Sequence, residues 1–269
     1  MTDAPLEVAI RAARRSASVI LDAARDLARL PAHVKPHDLA AETDGEAEDA
    51  IVATLRAAFP EHAVLGEESG HIRGAREGTG YKWIVDPIDG VTNFAHGGGR
   101  YAVSIAFARG AVVTHAVVLD PIQDELFTAI SGQGAECNGA PIHISACPGL
   151  EDALVATVAP GRMSPLLPAH LRLLASITPR VGSVRLSGAP ALDLAHLAAG
   201  RLDGFFATSL TGWDLAAGTL LVAEAGGRVG DFGGGADFLR SSELIAAAPV
   251  VFNELREAMV AARRPAVAD

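Results

Sequence analysis

Apolar residues recur every three or four positions through the first thirty residues. Leu6, Ile10, Ala13, Ala17, Ile20, Leu21, Ala24 and Leu27 share one stripe, which predicts a long helix stopped by Pro31. The next stretch, HVKPHDLAAETD, is polar and contains Pro36, so it predicts a loop leading into a second helix. Asp44 is placed to N-cap that helix, Ala47, Ile51, Val52 and Leu55 continue its apolar face, and it ends near Phe59–Pro60. Beyond Pro60 the pattern shifts to short apolar runs bounded by turn residues. AVLGEES, KWIVD, YAVSIAFAR, AVVTHAVVLD and DELFTAIS predict strands with hairpin-like spacing, and GQGAECNGAPIHIS predicts a turn-rich crossover. Strands and helices then alternate. ALVATVA, GFFAT and LIAAAP predict strands; LPAHLRLLASI, PALDLAHLAAG closed by Gly200, and WDLAAGTLLVAEAGG closed by Gly226–Gly227 predict helices, as does a tail running from near Asn253 to Arg263. This order predicts an α+β fold, with an antiparallel sheet in the first half and a mixed sheet in the second.

Composition changes this picture little. The 269 residues show no linker or repeat, so they read as one packed unit with halves at 1–135 and 136–269. Charge is more informative. A net charge of −10, with basic pairs only at Arg14–Arg15 and Arg263–Arg264, argues against direct nucleic-acid binding. It also means that an anionic substrate would need bound cations to mask the protein's own field. Cys137 and Cys147 form no metal pattern and read as free thiols. No apolar run is long enough to span a bilayer, and acidic Asp3 and Glu7 precede any hydrophobic stretch, so a cytoplasmic location is expected.

The chemistry concentrates where apolar strands end in acid. In WIVDPIDGVTNF, Asp86 emerges directly from a buried run and Asp89 follows three residues later. Two carboxylates about 4 Å apart repel by about 4 kcal/mol at an effective dielectric of about 20. A hard divalent cation turns that cost into binding, because Mg²⁺ prefers oxygen ligands. Pro87 stiffens the turn and leaves the Ile88 carbonyl available, while Gly90 permits close backbone approach at the start of a helix. Glu67, Glu68 and Asp214 also sit at element ends, although Asp214 has the plainer alternative of a helix cap. Metal oxygens beside a phosphate cradle describe metal-assisted phosphoryl transfer to water.

GEES, WIVDPIDGVTNF and WDLAAGTLLVAEAGG, in this order and spacing, resemble the signatures of the inositol monophosphatase family. DPIQDELFTAISGQGAECNG and ALDLAHLAAGRLDGFF bring the likeness nearest to its bacterial inositol-1-monophosphatase type. The resemblance implies a layered αβαβα sandwich of the inositol monophosphatase and fructose-1,6-bisphosphatase type, a homodimer, and magnesium-dependent hydrolysis of small phosphate monoesters. It implies that Glu67, Asp86 and the Ile88 carbonyl hold one Mg²⁺, that Asp86, Asp89 and Asp214 hold a second, and that Glu67 helps a third. It also implies that the N–H groups of Gly90 and Val91 bind the phosphate and that the loop of Gly188 and Ala189 meets the substrate.

Three positions depart from the family pattern. Val91 stands where a Thr hydroxyl, supported by the acid at Asp44, orients the attacking water; Thr92 would replace it only if the turn shifted. Ala41 stands where a Thr is common. Ala207 occupies the place of the Glu that reads inositol, which weakens the case for inositol but not for hydrolysis. His96, Trp83 and Trp213 flank these motifs; His96 is expected near a pocket and both tryptophans in the core. The alternatives are a fructose-1,6-bisphosphatase, a 3′-phosphonucleotide phosphatase, which Thr92–Asn93 disfavours, and a weakly active relative that binds transcription complexes.

Overall fold

The computed structural model describes residues 4–27, 35–69, 72–73 and 80–263. In chain order, helices α1 (Pro5–Leu27) and α2 (Pro36–Ala58) precede strands β1 (Ala63–Gly66), β2 (Ile72–Arg73) and β3 (Tyr81–Asp89). The short helix α3 (Val91–Ala95) leads to β4 (Ala102–Arg109), β5 (Val112–Asp120), β6 (Glu125–Ile130), β7 (Gly134–Cys137) and β8 (Ala140–Ile142). Then come β9 (Leu154–Thr157), α4 (Leu167–Ile177), β10 (Ser183–Leu186), α5 (Pro190–Ala198), β11 (Gly204–Ala207) and α6 (Gly212–Glu224). Strand β12 (Arg228–Gly230), helix α7 (Phe238–Ser241), strand β13 (Leu244–Ala247) and helix α8 (Pro249–Arg263) finish the chain.

Two sheets carry the fold. The first has eight strands in the order β2-β1-β3-β4-β5-β6-β7-β8, and the second five in the order β10-β9-β11-β13-β12. The first is antiparallel except where β1 runs parallel to β3; the second is mixed. Strand alternation sorts the side chains into layers. Val103, Ile105 and Phe107 of β4 join α1 and α2 in one core, while Ala102, Ala106 and Ala108 face α5 and α6 on the other side. In the second sheet Phe205 of β11 faces the same two helices, whereas Phe206 faces α4 and α8. The order is therefore helix, sheet, helix, sheet, helix, the αβαβα sandwich that the motifs imply.

Packing explains the small residues of the middle layer. A Cβ on Gly218 of α6 would lie 2.5 Å from Leu194 of α5, so the glycine lets the two helices touch. Both helices end in left-handed glycines. Gly200 donates to the Leu197 carbonyl and Arg201 to that of His196; Gly226 and Gly227 repeat the arrangement on Ala223 and Val222.

Several elements differ from the sequence pattern. Helix α2 begins at Pro36, not after Asp44, because Pro suits the first turn and the polar stretch is a largely exposed helical face. Asp44 is therefore no N-cap but a buried residue of the helix interior. Within the expected crossover, Asn138 and Gly139, both with positive φ, turn the hairpin β7–β8, as an Asn-Gly pair favours. The short strands β2, β10 and β12 were not legible in the pattern, and α8 starts four residues before Asn253. Pro31 lies outside the described residues. None of the described helices is long and apolar enough to cross a membrane.

Candidate metal centre and active site

The one parallel pairing of the first sheet builds the site. Gly66, the last residue of β1, sits opposite Val85 of β3, so Glu67 leaves the sheet beside Asp86, which is still paired within β3. The Glu67 N–H donates to the Val85 carbonyl at 3.2 Å. Past Asp86 the ladder slips: Asp86 pairs with Ser104 and Asp89 with Ala102. Pro87 and Ile88 thus share one opposing residue in a bulge, which turns Asp89 toward the middle layer. Gly90 follows at φ +97°. A Cβ there would meet the Arg100 carbonyl at 2.9 Å and the Gly188 carbonyl at 3.3 Å, so this glycine admits the loop 187–190 to the cradle.

The middle layer completes the cluster. Asp214 lies in the first turn of α6, where Oδ2 accepts the Thr211 N–H (2.7 Å) and hydroxyl (2.6 Å). It is not the N-cap, which is Thr211, but the N3 acid of a capping box, and it is also a member of the site. Asp89 Oδ2 accepts the Leu192 N–H from the first turn of α5. Asp86, Asp89 and Asp214 each offer an oxygen within 4.8 Å of the others. Two helix N-termini therefore face the carboxylates and partly offset their charge.

Electrostatically the cluster is unsatisfied. Asp86 and Asp89 are buried and held well above the carboxylate range, chiefly by burial; Asp86 then feels the charges of Asp89, Glu67 and Asp214. Glu67 is pushed up to about 7 by burial and by Asp214, although hydrogen bonds with Asp86 and Trp213 oppose the shift. Asp44 is pushed up to about 8 by burial and by Glu68, Glu67 and Glu48, while the Ile88 N–H on its carboxylate works the other way. Asp86 Oδ1 and Asp44 Oδ1 are buried without a hydrogen-bond partner. Crowded, desolvated oxygens with open valences are what a hard divalent cation fits.

Sequence reasoning brought most of these residues together. Asp44, expected to work near Val91, lies against the Ile88 backbone. Val91 and Thr92 present exposed side chains. Gly188 is exposed, whereas the methyls of Ala189 and Ala207 are buried in the central core and can read nothing of a substrate. Trp83 is core, as expected, but Trp213 combines packing with its hydrogen bond to Glu67. His96 lines a separate 530 Å³ cavity beside α3 that none of the carboxylates borders. Asn93 was missed. Its Nδ2 donates to the carbonyls of Arg100 (2.7 Å) and Ser187 (2.8 Å), pinning the loop against the cradle. Behind that loop, buried Asp193 accepts from Arg100 (3.0 Å) and from the Ser187 hydroxyl. No local pattern marks the Asn93–Ser187 and Arg100–Asp193 contacts, because their partners lie 94 and 93 residues apart.

The profile of the inositol monophosphatase family matches residues 2–267. The chain belongs to this family. It is 43% identical over 253 residues to the Nus factor SuhB of Pseudomonas aeruginosa, covering 93% of each chain. The extragenic suppressor protein suhB of Bartonella henselae superposes with a TM-score of 0.86 at 37% identity, over 96% of this chain and all of that one. An inositol monophosphatase from Anabaena (Nostoc) gives a TM-score of 0.85 at 30% identity, with 95% of each chain covered.

Proposed function

We propose that this family member is a Mg²⁺-dependent phosphatase of small sugar or polyol monophosphates. The observation that carries the reading is the buried Asp86 oxygen without a partner, set among Asp89, Asp214 and Glu67 beside the Gly90 cradle. Glu67, Asp86 and the Ile88 carbonyl would hold one ion, Asp86, Asp89 and Asp214 a second, and Glu67 would assist a third. Bound magnesium supplies charge neutralisation and a water of lowered pKa.

The remaining roles belong to the chain. The N–H groups of Gly90 and Val91 hold the phosphate oxygens. The loop at Gly188 and Ala189 offers backbone to the rest of the substrate. Asp44 and Glu67 accept protons near the attacking water, and Thr92 follows Val91 with a side-chain hydroxyl. Ala207 offers no carboxylate, so selectivity for inositol is weak. The test is phosphate release from a panel of monoesters with and without Mg²⁺; release that ignores Mg²⁺, or none from any monoester, would reject the reading.

A second reading rests on the name Nus factor borne by relatives. It is that the chain joins a transcription complex as a dimer, with hydrolysis slowed by Val91. The acidic surface speaks against direct contact with nucleic acid, not against contact with a protein of such a complex. Turnover by the isolated protein at an ordinary enzymatic rate would count against it.

A further inference from the structure

Glu48 brings a carboxyl side chain into the core and lies outside the metal cluster. It is 1% exposed, on the same face of α2 as Asp44 one turn earlier. Its Oε2 accepts the backbone N–H of Glu68 at 3.0 Å. The fit is tight on the other side: a Cβ on Gly66 would lie 2.2 Å from Oε2 and 2.7 Å from Oε1. Gly66 has no positive φ to explain it, so the glycine is there to make room for the carboxylate.

Gly66, Glu67 and Glu68 therefore form a turn held at both peptides that flank the Glu67 side chain. The Glu67 N–H is tied to β3 through the Val85 carbonyl, and the Glu68 N–H is tied to α2 through Glu48. The first tie alone leaves the peptide after Glu67 free to rotate. We infer that Glu48 is a positioning residue, which clamps this turn so that Glu67 meets Asp86 and a cation between them. The inference rests on the reading of Glu67 as a metal ligand.

Wild type, Glu48→Ala and Glu48→Gln separate the two ideas, read by calorimetric Mg²⁺ titration and by hydrogen exchange of the Glu68 amide. Glu48→Ala should weaken Mg²⁺ binding by about 10–100-fold, the usual effect of removing a group that orients a ligand. It should also lower the protection of the Glu68 amide by at least about tenfold. Glu48→Gln keeps an acceptor oxygen and should restore both to within about threefold. Gly66→Ala should reproduce the Ala phenotype by pushing the carboxylate off Glu68, and it carries the test if Glu48→Ala does not fold. Mg²⁺ binding by Glu48→Ala or Gly66→Ala equal to wild type would overturn the inference. So would loss in Glu48→Gln as deep as in Glu48→Ala, which marks general core damage. Wild type that binds no Mg²⁺ would reject the metal reading itself, and unchanged Glu68 exchange in Glu48→Ala would reject the clamp separately.

Discussion

Asp89 Oδ2 accepts the Leu192 N–H at 3.0 Å across 103 residues of sequence. One carboxylate therefore both serves the cluster and seats α5 on β3. Asp89→Asn keeps an oxygen for Leu192 but removes a buried carboxyl whose ionisation the folded site disfavours. Its metal-free form should melt about 2–4 °C higher than wild type, as a gain of about 1 kcal/mol gives in a domain of this size. Its Mg²⁺-induced shift should vanish. A thermal scan in EDTA and in Mg²⁺ checks both; an unchanged Mg²⁺ shift would remove Asp89 from the site.

Asp86→Asn and Asp214→Asn should each abolish phosphate release and weaken Mg²⁺ binding, since an amide cannot replace an anionic ligand. Asp214→Ala should go further. It also removes the acceptor of the Thr211 cap, worth about 0.5–2 kcal/mol, so its metal-free stability should drop below that of Asp214→Asn. Equal melting of the two variants would show that the cap contributes nothing.

Protons and cations should compete for this cluster. Asp44 rises from 3.8 to about 8 and Glu67 from 4.5 to about 7 on folding. A raised carboxyl pKa stabilises the fold fully below the unfolded value, and the contribution is lost as pH rises through the folded one. Metal-free protein should lose stability between about pH 4 and about pH 8, and the Mg²⁺-induced rise in Tm should be larger at about pH 9 than at about pH 6. A Mg²⁺ shift that is flat with pH would mean that these carboxyls do not meet the ion.

Val91→Thr restores a hydroxyl at nearly constant shape on a side chain that is 38% exposed. Positioned proton-handling groups contribute about 10²–10⁴ in rate, part of which the cation covers. We expect kcat to rise at least about tenfold with KM within a few-fold. Asp44→Asn should then hurt this variant more than the parent. Steady-state kinetics of the four proteins decide it; unchanged kcat would leave water activation to Glu67 and the metals.

Inositol-1-phosphate should show a high KM and no advantage over other monoesters. The carboxylate that would bind its hydroxyls is absent at Ala207, a loss of about 1.5–3 kcal/mol per charge-assisted bond. Selective, tight turnover of inositol-1-phosphate would show that another residue reads the ring.

What the sequence disclosed follows from what is local. Period and punctuation placed α1, α4, β3 to β6 and the glycine-closed ends of α5 and α6, because each is decided within one element. The start of α2 was misread because Asp44 looks like a cap and its burial depends on the sheet beneath it. Edge strands such as β10 and β12 carry too few apolar positions to register as a pattern. In the site, Asp86, Asp89 and Asp214 stood out as acids at element ends. Glu48 and Asn93 did not, since a Glu in a helix and an Asn after a turn are ordinary until tertiary packing gives them partners.

The place of Asp214 in the first turn of α6, with Asp86 in the opposite half of the chain, has a consequence for biosynthesis. As the protein leaves the ribosome, the first sheet can pair before α6 has been made. Until then its three clustered acids have neither a fourth carboxylate nor the N-termini of α5 and α6 to steady them. On the proposed ligand sets, the ion held by Glu67, Asp86 and the Ile88 carbonyl would need only the early half, whereas the one shared by Asp86, Asp89 and Asp214 would be captured only after most of the chain has emerged. Filling of that second site would thus act as a completion signal, one that a nascent chain arrested before Asp214 never receives.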